Sequence, residues 1–423
     1  VSWELQPQLD QLRANGLWRD LRTLDSPQKP QLQHEGRAFL NFSSNDYLGL
    51  ADSAELKAAF QEGLDLYGAG SGASRLVCGT LRPHTNLEAA LAEFKGTEAA
   101  LTFPSGFAVP LGALPALVGP GDTLILDKLC HASLVDGARL SGATIRVFPH
   151  NHLGKLERLL KTTTGRVLIV TESIFSMDGD AALLREIVEL KERYGAWLWV
   201  DEAHAVGVLG PQGRGLTAAL GLEGHIELQM GTFSKAFGLS GGYLAATRQV
   251  IDLLINRARS FIYTTAPPPA LAHAAQAALQ IVRGPQGDQL RARLQSHVQQ
   301  VQSALGLMPH GAETLAKKEA LGAAGAVPSL ASASGSATIE DKPPVEAKAS
   351  AILPIILGDE TAALQASAAL REQGLMVPAI RYPTVARGSA RLRVTLSAAH
   401  EAEQVQTLIR SLASVLENTP RAN

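Results

Sequence analysis

The chain of 423 residues is short of cysteine, of net charge and of long apolar runs, and each shortage removes a class of protein. Its two cysteines, Cys78 and Cys130, stand far apart in no metal-ligand spacing. That argues against a disulfide framework or a zinc site and suits a reducing cytoplasm. With 38 Lys+Arg against 40 Asp+Glu the formal charge is −2, so no basic field draws nucleic acid or an anionic membrane. No segment approaches the roughly 18 consecutive apolar residues of a bilayer span. The opening VSWELQPQLDQLRANG lacks the apolar core of a signal peptide. What remains is a globular composition, 46% hydrophobic and 18% charged. The length admits a large domain with a smaller one, and a small-molecule partner is the reading these numbers favour.

From about residue 84 onward, short apolar runs alternate with helical patterns. HTNLEAALAEFKG places Leu87, Leu91 and Phe94 on one helical face and ends at Gly96. EAALTF, DTLILD, ATIRVF, GRVLIVTES, AWLWVDEAH and HIELQMGTFSK each read as a strand, and DAALLREIVELKERYG as a helix beginning near Asp180. Strand, helix, strand in succession predicts an α/β domain with a mostly parallel sheet, whose functional residues gather beyond the strand ends. After FIYTTAPPPA the texture turns helical and then compact, around SAILPIILGD and ARLRVTLSAAH. That portion reads as a smaller α+β domain. An Ala- and Ser-rich stretch at about 311–350 reads as a surface insertion, with too little apolar content to offset the cost of ordering it.

Several motifs fall at those strand ends. Asp201, Glu202 and His204 in WLWVDEAHAVG could serve Mg²⁺ in a DEAH-box nucleotide hydrolase. That reading needs a G-x-x-x-x-G-K-[ST] loop, and the one Gly-Lys pair, Gly154-Lys155, is followed by Leu156. A capping aspartate with a core histidine is the plainer reading of the same residues. In LTFPSGFAVP, the turn Pro104-Ser105-Gly106-Phe107 leads into an apolar helix, an arrangement that offers backbone N–H groups to a phosphate. YGAGSGASRLVCG reads as a tight, flexible loop near a site. His131 in DKLCHASLVDG could stack on an aromatic group or move protons, or could simply be structural. TESIFSMDGD adds Ser176 as a donor to a cofactor oxygen, with Glu172 and Asp178 as loop-orienting acids.

GTFSKAFG holds Lys235 among small, hydroxylic and aromatic residues, with no acid near it in sequence. In an apolar pocket desolvation favours the neutral amine, which condenses with an aldehyde. Thr232 and Ser234 bring hydroxyls for a phosphate, and Asp201 on a neighbouring strand could hold a pyridinium nitrogen. A lysine, an aspartate, a flat histidine and a phosphate turn describe a site for pyridoxal 5′-phosphate.

These motifs, in this order, closely resemble the α-oxoamine synthase family of pyridoxal-phosphate enzymes. The resemblance runs from FLNFSSNDYLGL through GSGASRLVCGT, HASL, TESIFSMDGD, VDEAHAVGVLGPQGRG, TFSKAFG and IYTTAPPP to ARLRVTLSAAH. It implies the aspartate-aminotransferase-like fold, fold type I. Residues 1–45 would then pack with the small domain, 46–285 would form the large cofactor-binding domain, and 286–423 the small C-terminal domain. It further implies that Lys235 carries the cofactor, Asp201 pairs with the ring nitrogen and His131 stacks on the ring. His204 and Ser176 would face the phenolic oxygen, and Thr232 with Gly106 and Phe107 the phosphate. Thr264 and Thr265 would approach the cofactor of a second subunit in a homodimer. Arg393 would bind the amino-acid carboxylate, with Arg19, Asn45 and Thr384 around the substrates. IRYPTVARGSARLRVTLSAAH looks most like the members that join L-alanine to a pimeloyl thioester on the way to biotin. Sister enzymes join glycine to acetyl-CoA or succinyl-CoA, or serine to a fatty acyl thioester.

Overall fold

The computed structural model describes residues 3–307 and 350–417. Apart from Ser350, the insertion expected at 311–350 lies outside the described residues. In chain order the strands are β1 (Gln31–His34), β2 (Arg37–Asn41), β3 (Ala99–Phe103), β4 (Thr123–Asp127), β5 (Thr144–Phe148), β6 (Val167–Glu172) and β7 (Trp197–Asp201). There follow β8 (Leu228–Thr232), β9 (Gly242–Ala246), β10 (Ile352–Gly358), β11 (Leu375–Met376), β12 (Ala379–Ile380) and β13 (Ala390–Thr395). Two compact units form. One takes the described residues of Val1–Ser44, Pro354–Thr395 and His400–Asn423, the other those of Asn45–Leu353 and Leu396–Ala399.

The large unit is built on one seven-stranded sheet in the order β3-β9-β8-β7-β6-β4-β5. β5, β4, β6, β7 and β8 run parallel, and β9 runs antiparallel to both β8 and β3. All five residues of β3, β4, β8 and β9 are buried. Continuous apolar strands of this kind belong to a sheet covered on both faces. The C-terminal ends of β3, β4, β6, β7 and β8 therefore share one edge. The helix Arg82–Lys95 ends where the sequence places its stop, with Gly96 in the left-handed region at φ 67°.

Three expectations are corrected. β9 was not among the six strands read from the sequence, because GYLAA has no β-branched residue and opens on a glycine pair, Gly241-Gly242; its place between β3 and β8 decides it. The helix expected near Asp180 begins instead at Leu184. Residues before it are held extended: Ala181 bridges Ile174, and the Ala182 N–H donates to the Ser173 carbonyl at 3.0 Å. The boundary expected at residue 286 lies much later, since the helix Pro285–Leu305 belongs to the large unit. Leu294, Val298 and Val301 form a buried stripe along it, and Arg291 donates to the Val282 carbonyl at 2.8 Å.

In the small unit β1 and β2 form an antiparallel hairpin with β11 parallel to β2, and a second sheet runs β10-β13-β12. β13 is buried along its whole length.

Candidate active site

Strand ends on the shared edge of the large sheet surround a cavity of about 300 Å³. β3 delivers Ser105, Gly106 and Phe107, the loop after β4 delivers His131, and β6 ends at Glu172. β7 ends at Asp201, with Ala203 and His204 just beyond, and β8 ends at Thr232, followed by Ser234 and Lys235. Seven of the residues that the resemblance assigns to the cofactor thus meet, Gly106, Phe107, His131, Asp201, His204, Thr232 and Lys235, together with Ser105, Glu172 and Ser234.

One end of the cavity is suited to an anion. The helix Ala108–Leu117 begins there, with Phe107 as its N-cap; the Ala108 and Val109 N–H groups bond back to the Ser105 and Gly106 carbonyls, so what this end offers is the positive end of the helix dipole. Backbones crowd at this point: a Cβ on Gly242 would sit 2.7 Å from the Gly106 Cα, and one on Gly106 would sit 3.2 Å from Thr232 Oγ1. Thr232 Oγ1 donates to the Gly241 carbonyl at 2.7 Å and lies 2.8 Å from Ser234 Oγ. The exposed Ser234 is therefore the hydroxyl that can turn to a phosphate, with Thr232 steadying it.

The opposite wall is acidic. Asp201 and Glu172 are register partners on adjacent parallel strands, and both are buried. Burial drives both carboxyl pKa values upward, while the Lys235 charge pulls each back down. Lys235, which has no acid near it in sequence, thus gains acidic company in space. Its acids come from β6 and β7, strands distant in sequence, and Lys235 itself is half-buried. Asp201 Oδ1 accepts the Ala203 N–H at 2.8 Å.

His131 is fixed by its own loop. Its N–H donates to Glu172 Oε1 at 2.6 Å, and its Nδ1 accepts the Ser133 N–H at 3.2 Å. Desolvation lowers the ring's pKa, Asp201 raises it and the Lys235 charge lowers it, leaving it below the ordinary histidine value. A neutral ring that accepts at Nδ1 carries its proton on Nε2. Phe107 meets this ring edge-on at 6.2 Å between centroids.

His204 is anchored by a residue the sequence reading missed. Tyr47 Oη lies 2.5 Å from His204 Nδ1 and donates to Asn45 Oδ1 at 3.3 Å, which ties the substrate candidate Asn45 to the cavity wall. Glu202 turns away from the cavity. Its carboxylate pairs with the buried Lys95 and accepts from the Thr217 N–H and hydroxyl, both at 2.9 Å. This acid is structural and is not a ligand for Mg²⁺. Lys95→Met is expected to cost about 3–5 kcal/mol, because it strands Glu202 in the core. Chemical denaturation measures this, and a loss below about 1 kcal/mol would show that Glu202 finds other support.

The other candidates do not line this cavity. Ser176 is partly buried on the loop after β6. Thr264 and Thr265 follow the short helix Arg259–Ile262, where Thr265 bridges Ser74. Beside them the loop that read as flexible is built around Arg75, which pairs with Glu88 at 2.9 Å. Arg19, Thr384 and Arg393 belong to the small unit. There Arg19 Nη2 reaches Thr384 Oγ1 at 3.5 Å, and the buried Arg393 donates to Thr395 Oγ1 at 2.9 Å. Glu172, read only as a loop-orienting acid, proves to be part of the cavity wall, a position that its place at the end of an apolar run signals.

The cavity therefore offers an anion cradle, a flat imidazole with an Nε2 proton, a buried carboxylate for a cationic nitrogen and one amine. Those are the groups that pyridoxal phosphate presents surfaces to: phosphate, ring, ring nitrogen and aldehyde. Residues 37–412 match the family model for aminotransferase class I and II. The chain belongs to that family. It is 45% identical to the 8-amino-7-oxononanoate synthases of Janthinobacterium sp. (strain Marseille) and of Geobacter sulfurreducens, over 96% of this chain and 96% of each relative. Among solved structures, serine palmitoyltransferase of Sphingomonas wittichii matches with a TM-score of 0.84 at 30% identity, covering 98% of both chains. The enzyme of S. paucimobilis, solved with PLP-myriocin bound, gives 0.83 at 28% over 98% of this chain and 97% of that one. An 8-amino-7-oxononanoate synthase from Francisella tularensis gives 0.69 at 28%, over 90% of this chain and 98% of that one. The fold is the fold type I of pyridoxal-phosphate transferases, as the family resemblance implied.

Proposed function

We propose that the chain condenses L-alanine with a pimeloyl thioester, carried on CoA or on an acyl carrier protein, releasing CO₂ and the thiol to give 8-amino-7-oxononanoate for biotin synthesis. The observation that carries this reading is the 45% identity, over nearly the whole of both chains, to synthases of that name. Serine palmitoyltransferases are closely similar in fold at only 28–30% identity, and fold alone does not choose a substrate.

Pyridoxal phosphate, when bound, supplies an aldehyde for amine capture and a ring that takes up electron density from the substrate's α-carbon. The residues divide the remaining work. Ser234, Thr232 and the backbone of Gly106 and Phe107 hold the phosphate. Asp201 keeps the ring nitrogen positive, and His204 and Ser176 take the phenolic oxygen. Lys235 Nζ would hold the cofactor at rest and, when free, would remove the substrate's α-proton. His131, with its proton on Nε2, would pack against the ring and polarise the thioester carbonyl. Arg393 takes the alanine carboxylate, with Arg19, Asn45 and Thr384 around the substrates. The reading includes a homodimer in which the segment at Thr264 and the exposed Thr265 faces the second cofactor.

A panel of amino acids crossed with acyl thioesters, followed by thiol release, tests the substrate assignment. Alanine with pimeloyl thioester is expected to exceed every other pair by about tenfold or more in kcat/KM. A faster rate with glycine and acetyl-CoA, or with serine and a long-chain acyl thioester, would move the chain to a sister activity.

A further inference from the structure

We infer that His150 is a positioning residue, a cation that staples together the two loops carrying His131 and Ser176. His150 follows β5 at the same edge of the sheet and is not one of the cavity-lining residues. Its Nδ1 lies 3.1 and 3.2 Å from the two oxygens of Asp127, and its Nε2 lies 2.7 Å from Asp180 Oδ2. Asp127 is nearly fully buried at the end of β4, four positions before His131, and Asp180 stands four positions after Ser176. Phe175, next to Ser176, packs edge-on against the imidazole at 4.3 Å between centroids.

The residue that follows completes the staple. Asn151 holds a left-handed φ of 53°, a conformation that costs a non-glycine residue of order 1 kcal/mol and persists only when its surroundings impose it. Three bonds impose it here. Its N–H donates to Asp127 Oδ2 at 3.1 Å, its Nδ2 donates to the Ala181 carbonyl at 3.0 Å, and its Oδ1 accepts the Leu183 N–H at 3.3 Å. Asp127 Oδ1 in turn accepts the Leu129 N–H at 2.8 Å, which shapes the approach to His131. The Asp180 carbonyl accepts the Phe175 N–H at 3.0 Å, closing the loop that bears Ser176.

With a carboxylate on each side, both ring nitrogens must donate, so the ring is doubly protonated. Burial opposes that charge, and the hydrogen bonds to Asp127 and Asp180 override it, pushing the pKa from 6.5 up to about 10. A pKa raised on folding stabilises fully below the unfolded value and less as pH climbs toward the folded one. The staple is therefore intact at neutral pH and loosens toward pH 10.

The inference rests on reading His131 and Ser176 as cofactor contacts, and one arm of the test does not. Hydrogen exchange on cofactor-free full-length protein is expected to show amides of 127–131 and 173–183 exchanging about tenfold faster in His150→Gln, with the rest of the large unit unchanged. Unchanged exchange in both loops overturns the staple. Should His150→Gln unfold throughout, Asp180→Asn, which keeps the shape and removes one charge, decides by the same loop-confined criterion. The second arm measures the dissociation constant for pyridoxal phosphate by visible absorbance from pH 7 to 10. The wild type is expected to weaken toward pH 10 through a component that His150→Gln lacks, with the variant about tenfold weaker at pH 7. Loosened loops with an unchanged constant and pH profile would reduce His150 to a merely structural role and overturn the positioning claim. A wild type that takes up no pyridoxal phosphate would instead defeat the reading of the site itself.

Discussion

Lys235→Ala is expected to lower turnover by roughly 10³–10⁶-fold while leaving the melting temperature within a few degrees of the wild type. The large kinetic effect follows from position. Lys235 is the lysine on the wall of the cavity, and no other residue lining it carries an amine. The small structural effect follows from burial: the side chain is half-buried, and its removal opens no cavity in the core. It does withdraw the positive charge that pulls down the pKa values of Asp201 and Glu172. The buried acid pair is then expected to hold a proton at neutral pH, so the loss appears as proton uptake more than as unfolding. Borohydride treatment of the wild type with pyridoxal phosphate should fix the cofactor on the peptide containing Lys235, with bleaching of the visible band. Labelling of a different lysine, or full turnover by the alanine variant, would remove Lys235 from its assigned role.

How much of this was legible in the residues depended on whether a feature is local. DTLILD and AWLWVDEAH announce themselves as buried parallel strands because an apolar run bounded by polar residues needs no partner to be recognised. HTNLEAALAEFKG carries its own period and its own stop. β9 has neither, and is a strand because it lies between β3 and β8 and pairs with both. The same holds within the site. The residues at strand ends could be named from their order along the chain, since every parallel strand delivers its C-terminus to one edge. What they touch could not. The acids beside Lys235 come from other strands, the Tyr47 hydroxyl reaches His204 from far upstream, and Glu202, the residue after Asp201, turns instead to Lys95 and Thr217.

Asp201→Asn is expected to lower kcat/KM by about 10³-fold and, in the cofactor-free protein, to leave thermal stability unchanged or raise it. The two directions have one cause. Burial lifts the Asp201 pKa above 3.8, a penalty that Lys235, the Ala203 N–H and His131 only partly offset. Between the unfolded and folded pKa values the folded chain binds more protons than the unfolded one, so stability falls as pH rises through that window. Near pH 4 the variant and the wild type should melt together. At pH 7 the asparagine should melt higher, because it keeps an oxygen for the Ala203 N–H without burying a charge. Pyridoxal phosphate should reverse the order. A cationic ring nitrogen gives the carboxylate its missing partner, so added cofactor stabilises the wild type by more than the variant, by an increment set by the ratio of their dissociation constants. Melts at the two pH values, with and without cofactor, check this alongside kcat/KM. Equal cofactor-induced shifts in both proteins would mean that the buried charge is not there for the ring nitrogen. The excess acidity of this wall is thus a strain that binding relieves, and the same carboxylate that weakens the empty protein selects a ligand with a positive nitrogen.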